Sequence, residues 1–515
     1  MNDRISRRRL LQALGVGGAG IGLSACGVYT PPKTGGNANN ARLNSTAFDI
    51  PTSGVNFPKG FPSGPTQLRV VDSGDQKAIF WNAFFPELQK KFPNVKVSYD
   101  GTDWTTIQQE ITLGLHNGTA PDFFQLPPTI TIGEAVNSGW LAALDDFVPN
   151  WSTIKAGFPT GTFGEGVTDF NGKTYAYPWT TNQRISWGLL YNDQYLKQAG
   201  FDGTKIMSWD QFTEAAKKTT KQGAGKYFGL IMGIGQTGQI SGTIDALAES
   251  AGAHGGEFNW QTGQYNFTSD IYREATELIL GMFANKYMFP DSVSIGAPQA
   301  RGEFPQGVAA MIVQGPWNIP EYEQTNPGLK FGFNLAPQKN PSSIWPFSYA
   351  PGGSNTWVVS NASKAKAVIG LIFNYVGTLK GQTEWADYDG AGDPPQYPQA
   401  MQHAKMDTIS RGALELGYKH TVLAPNPELK TPSYANYQEL YVPPQPTWDQ
   451  TLVGMVTGQV KTNVKDTLKK VQDSYEAAME KAFSACKAQG VNISRDDFTF
   501  SSWNPREAYK YPTKS

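Results

Sequence analysis

Apolar and polar positions along this chain alternate between strand-like and helix-like periods, and each change marks an element. Residues 67–71 read as a first strand, followed by the polar loop Asp72-Ser73-Gly74-Asp75. Apolar Ile79, Phe80, Phe84 and Leu88 then predict helix, with Pro86 expected to start a second helical segment rather than interrupt one. Residues 95–99 are the next strand. Ile107, Ile111 and Leu115 recur every four residues and predict another helix. Asn117-Gly118 turns the chain into 120–126, read as an inner strand. Strands alternating with helices imply βαβ units and a mostly parallel sheet. In such sheets ligands sit beyond the carboxyl ends of strands, which singles out Ser73, Asp75 and Gln125.

The segment 171–193, NGKTYAYPWTTNQRISWGLLYND, is the most informative stretch. Asn171-Gly172 suits a tight turn, and 173–177 alternates as a strand until Pro178 removes a backbone donor. A second strand is expected at 188–191, and Asn192-Asp193 can cap a helix over 194–199. Between them Trp179-Thr180-Thr181-Asn182 carries one large ring on a short polar gap. Ser208-Trp209-Asp210-Gln211 fits a capping box opening the next helix. Gly233-Ile234-Gly235-Gln236-Thr237-Gly238 is a literal G-x-G-x-x-G after a strand at 228–232, with Glu257 at a suggestive distance. Yet Gln239-Ile240-Ser241-Gly242 delays the helix, whereas a pyrophosphate needs the helix to begin at the third glycine. A ligand-facing loop is expected there, not a dinucleotide site. Further on, 270–285 reads as helix and a buried strand ends at Val313. Gly315-Pro316 then starts another helix, carrying Trp317.

Several of these stretches resemble the extracellular solute-binding proteins that feed carbohydrate ABC importers, a group that includes maltose-binding protein. The resemblance rests on 171–193, on Gly118-Thr119-Ala120-Pro121-Asp122, on Gly139-Trp140-Leu141-Ala142-Ala143-Leu144-Asp145-Asp146 and on Gly200-Phe201-Asp202. It runs continuously from about residue 67 to 232. Gly315-Pro316-Trp317 is similar to the stretch at which a strand of that family ends in Gly-x-Trp at the mouth of its cleft. Trp345 to Asn355, WPFSYAPGGSN, resembles the second crossing between lobes, and Gly390-Ala391-Gly392-Asp393-Pro394-Pro395 the third. The resemblance implies an α/β, two-lobed periplasmic-binding-protein fold of type II. Each lobe would be a mostly parallel sheet flanked by helices, and a multi-crossing hinge would join them. One lobe would hold 67–179 with 354–393 and the other 180–353 with 394–495. The tail 496–515 is unassigned, and 399–447 has mixed periodicity. The implied function is capture of a mono- or oligosaccharide between the lobes, for delivery to ABC transporter permease subunits by a monomer without catalysis, cofactor or metal. Trp179 and Trp317 would be its aromatic platforms, with Ser73, Asp75, Gln125, Asn182, Asn355 and Asp393 as polar contacts.

The N-terminus adds an address. Paired arginines around Arg7-Arg8 precede an apolar run diluted by glycines and too short to span a bilayer, resembling a twin-arginine signal. Leu23-Ser24-Ala25-Cys26 looks like a lipobox, so 1–26 reads as a signal peptide, with Cys26 lipidated and the protein anchored at the outer face of the cell membrane. Residues 27–66 read as a flexible tether with a reach on the order of 35 Å. The cysteines, Cys26 and Cys486, allow no disulfide framework. A net charge of −1 argues against nucleic acid as partner. The four histidines have no metal-ligand spacing, and G-x-S-x-G, H-E-x-x-H and phosphate-loop motifs are absent. Two alternatives stay open: the same fold taking a peptide, polyamine or other polar solute, or a secreted glycan hydrolase using two carboxylates.

Overall fold

The computed structural model describes residues 48–511, apart from Asp75, Pro128, Thr160, Asn355, Ala391 and Pro432 and the side chains of Asp389 and Leu429. The segment expected to be a signal peptide, with Cys26, and also Asp75 and Asn355 therefore lie outside the described residues. Two sheets organise the body. The first has five strands, with Thr66–Asp72 parallel to both Val95–Gly101 and Phe123–Gln125. Trp357–Val359 returns antiparallel beside Phe123–Gln125 and pairs with Ala176–Tyr177 at the edge. The second sheet holds four strands: Ala309–Gln314 runs parallel to Phe228–Ile231 and antiparallel to Gly188–Asn192, which pairs with Phe331–Asn334. Both sheets are therefore mixed rather than mostly parallel as expected: in the first the antiparallel strand Trp357–Val359 lies where the chain re-enters the lobe, and in the second Gly188–Asn192, where the chain enters, is antiparallel to both its neighbours.

Local chemistry explains the helices around these sheets. Asp103 caps Trp104–Asn117 by accepting from the N–H groups of Thr105 and Thr106. The capping box read at Ser208 is present, with Ser208 and Gln211 exchanging side-chain and backbone bonds. Pro86 behaves differently from expectation, because Lys77–Lys91 is one helix with the proline inside it. Both Pro86 and Asn82, whose carbonyl loses its partner, face solvent, so water satisfies the group that the ring deprives. The strand expected at 173–177 is divided: Lys173–Thr174 pairs with Asp169–Phe170, and only Ala176–Tyr177 joins the large sheet.

The first lobe is held by an aromatic core, and this corrects two expectations. Trp179 is fully buried in it, stacked on Trp357 at 4.7 Å between ring centroids, with Trp81, Tyr177 and Trp385 edge-on around it. It is a core residue and not a cleft platform. Tyr177 and Trp179 share one face because side chains alternate along a strand. Phe48 and Ile50, within the expected tether, are also buried, and Phe48 packs against Phe84 at 5.1 Å. Lys91 Nζ donates to the carbonyl of Ile50 at 2.7 Å, so the folded body begins before residue 66. The tail is likewise packed: Phe498 lies against Tyr437 and Phe483, and the guanidinium of Arg506 sits 3.5 Å over Trp345.

The second lobe buries carboxyl groups beside the helix Gln239–Ser250. Burial pushes Asp245 up to about 7 and both Glu249 and Glu257 to about 8, and repulsion adds to it: from Asp449 on Asp245, from Asp245 on Glu249, and from both aspartates on Glu257. Each keeps some contact with solvent, which moderates the effect. In the first lobe burial likewise raises Asp72 to about 6.

Two measurements follow from this core. Trp179→Ala should cost about 3–5 kcal/mol of stability through the cavity it leaves, read as a lowered denaturant midpoint. Carboxyls with raised folded values keep protons that the unfolded chain has lost, so stability falls as pH rises from about 4 to about 8. The melting temperature should be higher near pH 5.5 than near pH 8.5 at fixed ionic strength, and Asp245→Asn should flatten the slope. A melting temperature that climbs over that interval would contradict the assignment.

Candidate functional site

Three segments pass between the sheets, and they are laced together at one point. Thr180 bridges both Ser354 and Pro395, and its hydroxyl donates to the carbonyl of Ser354 at 2.6 Å. The Nε2 of Gln396 reaches the carbonyls of Pro178, Thr180 and Gly352 at 3.0, 2.9 and 3.1 Å. Because main chain binds main chain here, the crossings form a stiff base under the space between the lobes.

Above that base lies a cavity of about 170 Å³. The first lobe contributes Ser73, Gln76, Lys77, Asp103 and Trp104, each just beyond the carboxyl end of a strand. The second lobe contributes Gln236, Gln239, Arg301, Gln314 and Trp317, and the crossings supply Arg184, Trp187 and Asp393.

Asp393 is the centre of this arrangement. Its side chain is 2% exposed, and Oδ2 accepts from Lys77 Nζ at 3.1 Å and Gln76 Nε2 at 3.0 Å. Its Oδ1 pairs with the Arg184 guanidinium, which also donates to the carbonyl of Gly392. Burial alone would raise this carboxyl, but Lys77 and Arg184 outweigh it and hold it below the usual carboxylate range. The Arg184 guanidinium lies 5.0 Å from the centre of the Trp317 ring. The ring itself folds back over Gly315, where a Cβ would come within 1.9 Å of it, so only glycine fits beneath this indole. Asp103, an exposed residue, stays ionised for another reason: against a partial desolvation, hydrogen bonds from Thr106 and Thr105 keep its value low.

The residues singled out in the sequence fall into distinct places. Ser73, Trp317 and Asp393 line the cavity. Gln125 is fully buried and does not line it; its Oε1 accepts the N–H of Ser73 at 2.8 Å and so positions the loop. Asn182 sits on the first crossing, away from the cavity, and donates to the carbonyl of Ala350 at 3.3 Å. Trp179 is core. Lys77, Arg184, Trp104 and the glutamines carried no sequence signal of their own, although Gln236 lies in the loop expected to face a ligand. Among the described residues no group of His, Cys, Asp and Glu could hold a metal ion, and no helix is long and apolar enough to cross a membrane.

Comparison with known proteins agrees with this geometry. The diacetylchitobiose-binding protein DasA of Streptomyces coelicolor is 26% identical over 200 residues, covering 38% of this chain and 39% of that protein. A solute-binding protein of an ABC transporter from Thermotoga lettingae, solved with α-D-tagatose, is 17% identical with a TM-score of 0.59, over 81% of this chain and 100% of that one. A substrate-binding protein from Listeria monocytogenes in complex with cycloalternan is 17% identical, with a TM-score of 0.57 over 83% and 100% of the two chains. These likenesses give the type II periplasmic-binding-protein fold. Residues 73–383 match the sequence pattern of one family as a whole, so the chain belongs to the bacterial extracellular solute-binding proteins.

Proposed function

We propose that this protein is an exported receptor that closes its lobes on a carbohydrate and delivers it to the permease of an ABC importer. The observation that carries this reading is the cavity at the lobe junction, where Trp104, Trp187 and Trp317 meet glutamines from both lobes. Indole rings cover the apolar faces of a sugar, and amide groups serve its hydroxyls as donors and acceptors. Gln76 lines this cavity with its Nε2 held by Asp393, and its buried side-chain oxygen has no hydrogen-bond partner in the protein. DasA is named for a diacetylated disaccharide, and the Thermotoga and Listeria structures hold saccharides.

The alternatives fit less well. Lys77, Arg184 and Arg301 in the wall disfavour a polycation such as a polyamine. A glycan hydrolase needs one carboxyl that is protonated near neutral pH. Among the described residues the carboxylates that line the cavity are held ionised, Asp393 by two cations and Asp103 by a helix start. On this reading the protein binds without turnover as a monomer, and the Leu23-Ser24-Ala25-Cys26 segment supports a tether to the outer face of the membrane through a lipid on Cys26.

Raffinose, maltose and N,N′-diacetylchitobiose form a first panel. A bound saccharide at a hundredfold over its Kd should add about 2.7 kcal/mol of stability. Trp317→Ala should weaken that binding roughly 5- to 30-fold with little change in melting temperature. Stabilisation by spermidine and by no saccharide would instead favour the polyamine reading. Cys26→Ala should release the protein from membranes or block its maturation; a variant that fractionates as wild type would remove the anchor from this account.

A further inference from the structure

The G-x-G-x-x-G loop is the one sequence motif that the fold has not yet explained, and each of its glycines has a local reason. A Cβ on Gly233 would stand 2.5 Å from the N of Ala297, and one on Gly235 would stand 2.8 Å from the carbonyl of Ser294. These two glycines let the loop press against the backbone that leads into another part of the cavity wall. Gly238 has φ +87°, a left-handed conformation, and is the N-cap of the helix Gln239–Ser250, so the helix begins at the third glycine and is not delayed through Gly242 as the sequence suggested. That helix start has no side-chain cap of its own. A helix start carries partial positive charge and unpaired N–H groups, which in nucleotide-binding folds receive a phosphate.

Here a carboxylate from far along the chain arrives instead. Asp449 Oδ1 accepts the N–H of Gly238 at 3.0 Å, and Oδ2 accepts the Ser241 hydroxyl at 3.1 Å. Its neighbour Trp448 is buried, with its backbone N–H donating to Tyr475 at 2.9 Å and its indole N–H to Tyr272 at 3.1 Å, so the carboxylate is delivered from a fixed base. Gly238 is flanked by two cavity residues, Gln236 in the loop before it and Gln239 at the helix start after it. The N–H of Gln239 donates to the carbonyl of Gln236, and Gln314 Nε2 donates to Gln239 Oε1 at 2.5 Å. Movement of Gly238 therefore moves both glutamines. Asp449 lies beyond residue 383, where the family match ends.

We propose that Asp449 is a positioning residue for the cleft: its carboxylate fills the anion-binding place at the start of Gln239–Ser250 and thereby holds Gln236 and Gln239 against the solute. Its consequence for affinity rests on the carbohydrate reading above; its occupation of the helix start does not. The negative charge also leaves no room for a phosphate at this G-x-G-x-x-G, which accounts for a nucleotide-type motif inside a solute-binding fold.

The test compares wild type with Asp449→Ala, Asp449→Asn and Asp449→Glu in the full folded chain. Binding is read by calorimetry with raffinose, maltose and N,N′-diacetylchitobiose, and stability by melting temperature. Asp449→Ala should weaken the saccharide that binds wild type by about tenfold, with Asp449→Asn in between because it keeps one acceptor oxygen and Asp449→Glu closer to wild type. Acetate at about 50 mM should restore melting temperature and affinity in Asp449→Ala and do nothing for wild type, with chloride at equal ionic strength as control. A lower melting temperature with unchanged affinity would make Asp449 a purely structural residue and overturn the proposal. So would acetate and chloride acting alike. If none of the three saccharides binds wild type, the carbohydrate reading fails by itself, and acetate rescue of the melting temperature still decides whether Asp449 holds the helix start.

Discussion

One buried carboxylate with two cations sets the geometry on which the rest of the cavity depends. Asp393 comes from the third crossing, Arg184 from the first, and Lys77 from the start of a first-lobe helix. Removing the carboxylate would leave two cations without their counter-charge, the Lys77 ammonium out of water, which costs about 3–5 kcal/mol. The three elements are thereby held in one arrangement. A lysine in the first turn of a helix is poorly placed against the helix dipole, and Asp393 offsets that. Arg184 extends the constraint into the second lobe, because its guanidinium lies against the ring of Trp317.

That arrangement decides what remains free to meet a solute. The charges at the floor largely satisfy one another, and Asp103 is engaged as a helix cap. What faces the space is mainly amide and indole, a surface suited to many weakly polar hydroxyl groups rather than to one strong charge. The crossings below, tied through Thr180 and Gln396, confine any relative movement of the lobes to a narrow base. A cavity floored by a hinge couples filling of the cavity to the position of the lobes, which is what a receptor that must signal its loaded state to a membrane partner requires.

Much of the fold was legible in the sequence because it is written in local terms. The capping box at Ser208, the turn before Phe123 and the strand before Gly315 each depend on a few neighbouring residues. Ser73, Trp317 and Asp393 could be found because they lie at strand ends and crossings, where connectivity alone places them near the cavity. Trp179 was misplaced because Pro178 tells that the ring is fixed but not which way it points. The alternation from Tyr177 carried that direction, and it leads into the core. Pro86 misled because its cost depends on whether water reaches one carbonyl. Lys77, Arg184 and Asp449 were out of reach for a different reason: each matters through a partner more than 200 residues away, and no spacing along the chain encodes such a pairing.

The central claim is that a carbohydrate binds where both lobes and the crossings meet, and hydrogen–deuterium exchange with and without saccharide tests it most directly. With raffinose, maltose or N,N′-diacetylchitobiose in excess, exchange should slow together in 73–77, 184–187, 236–239 and 314–317, segments that belong to both lobes and the crossing between them. Protection confined to one lobe, or located away from these four segments, would contradict the account.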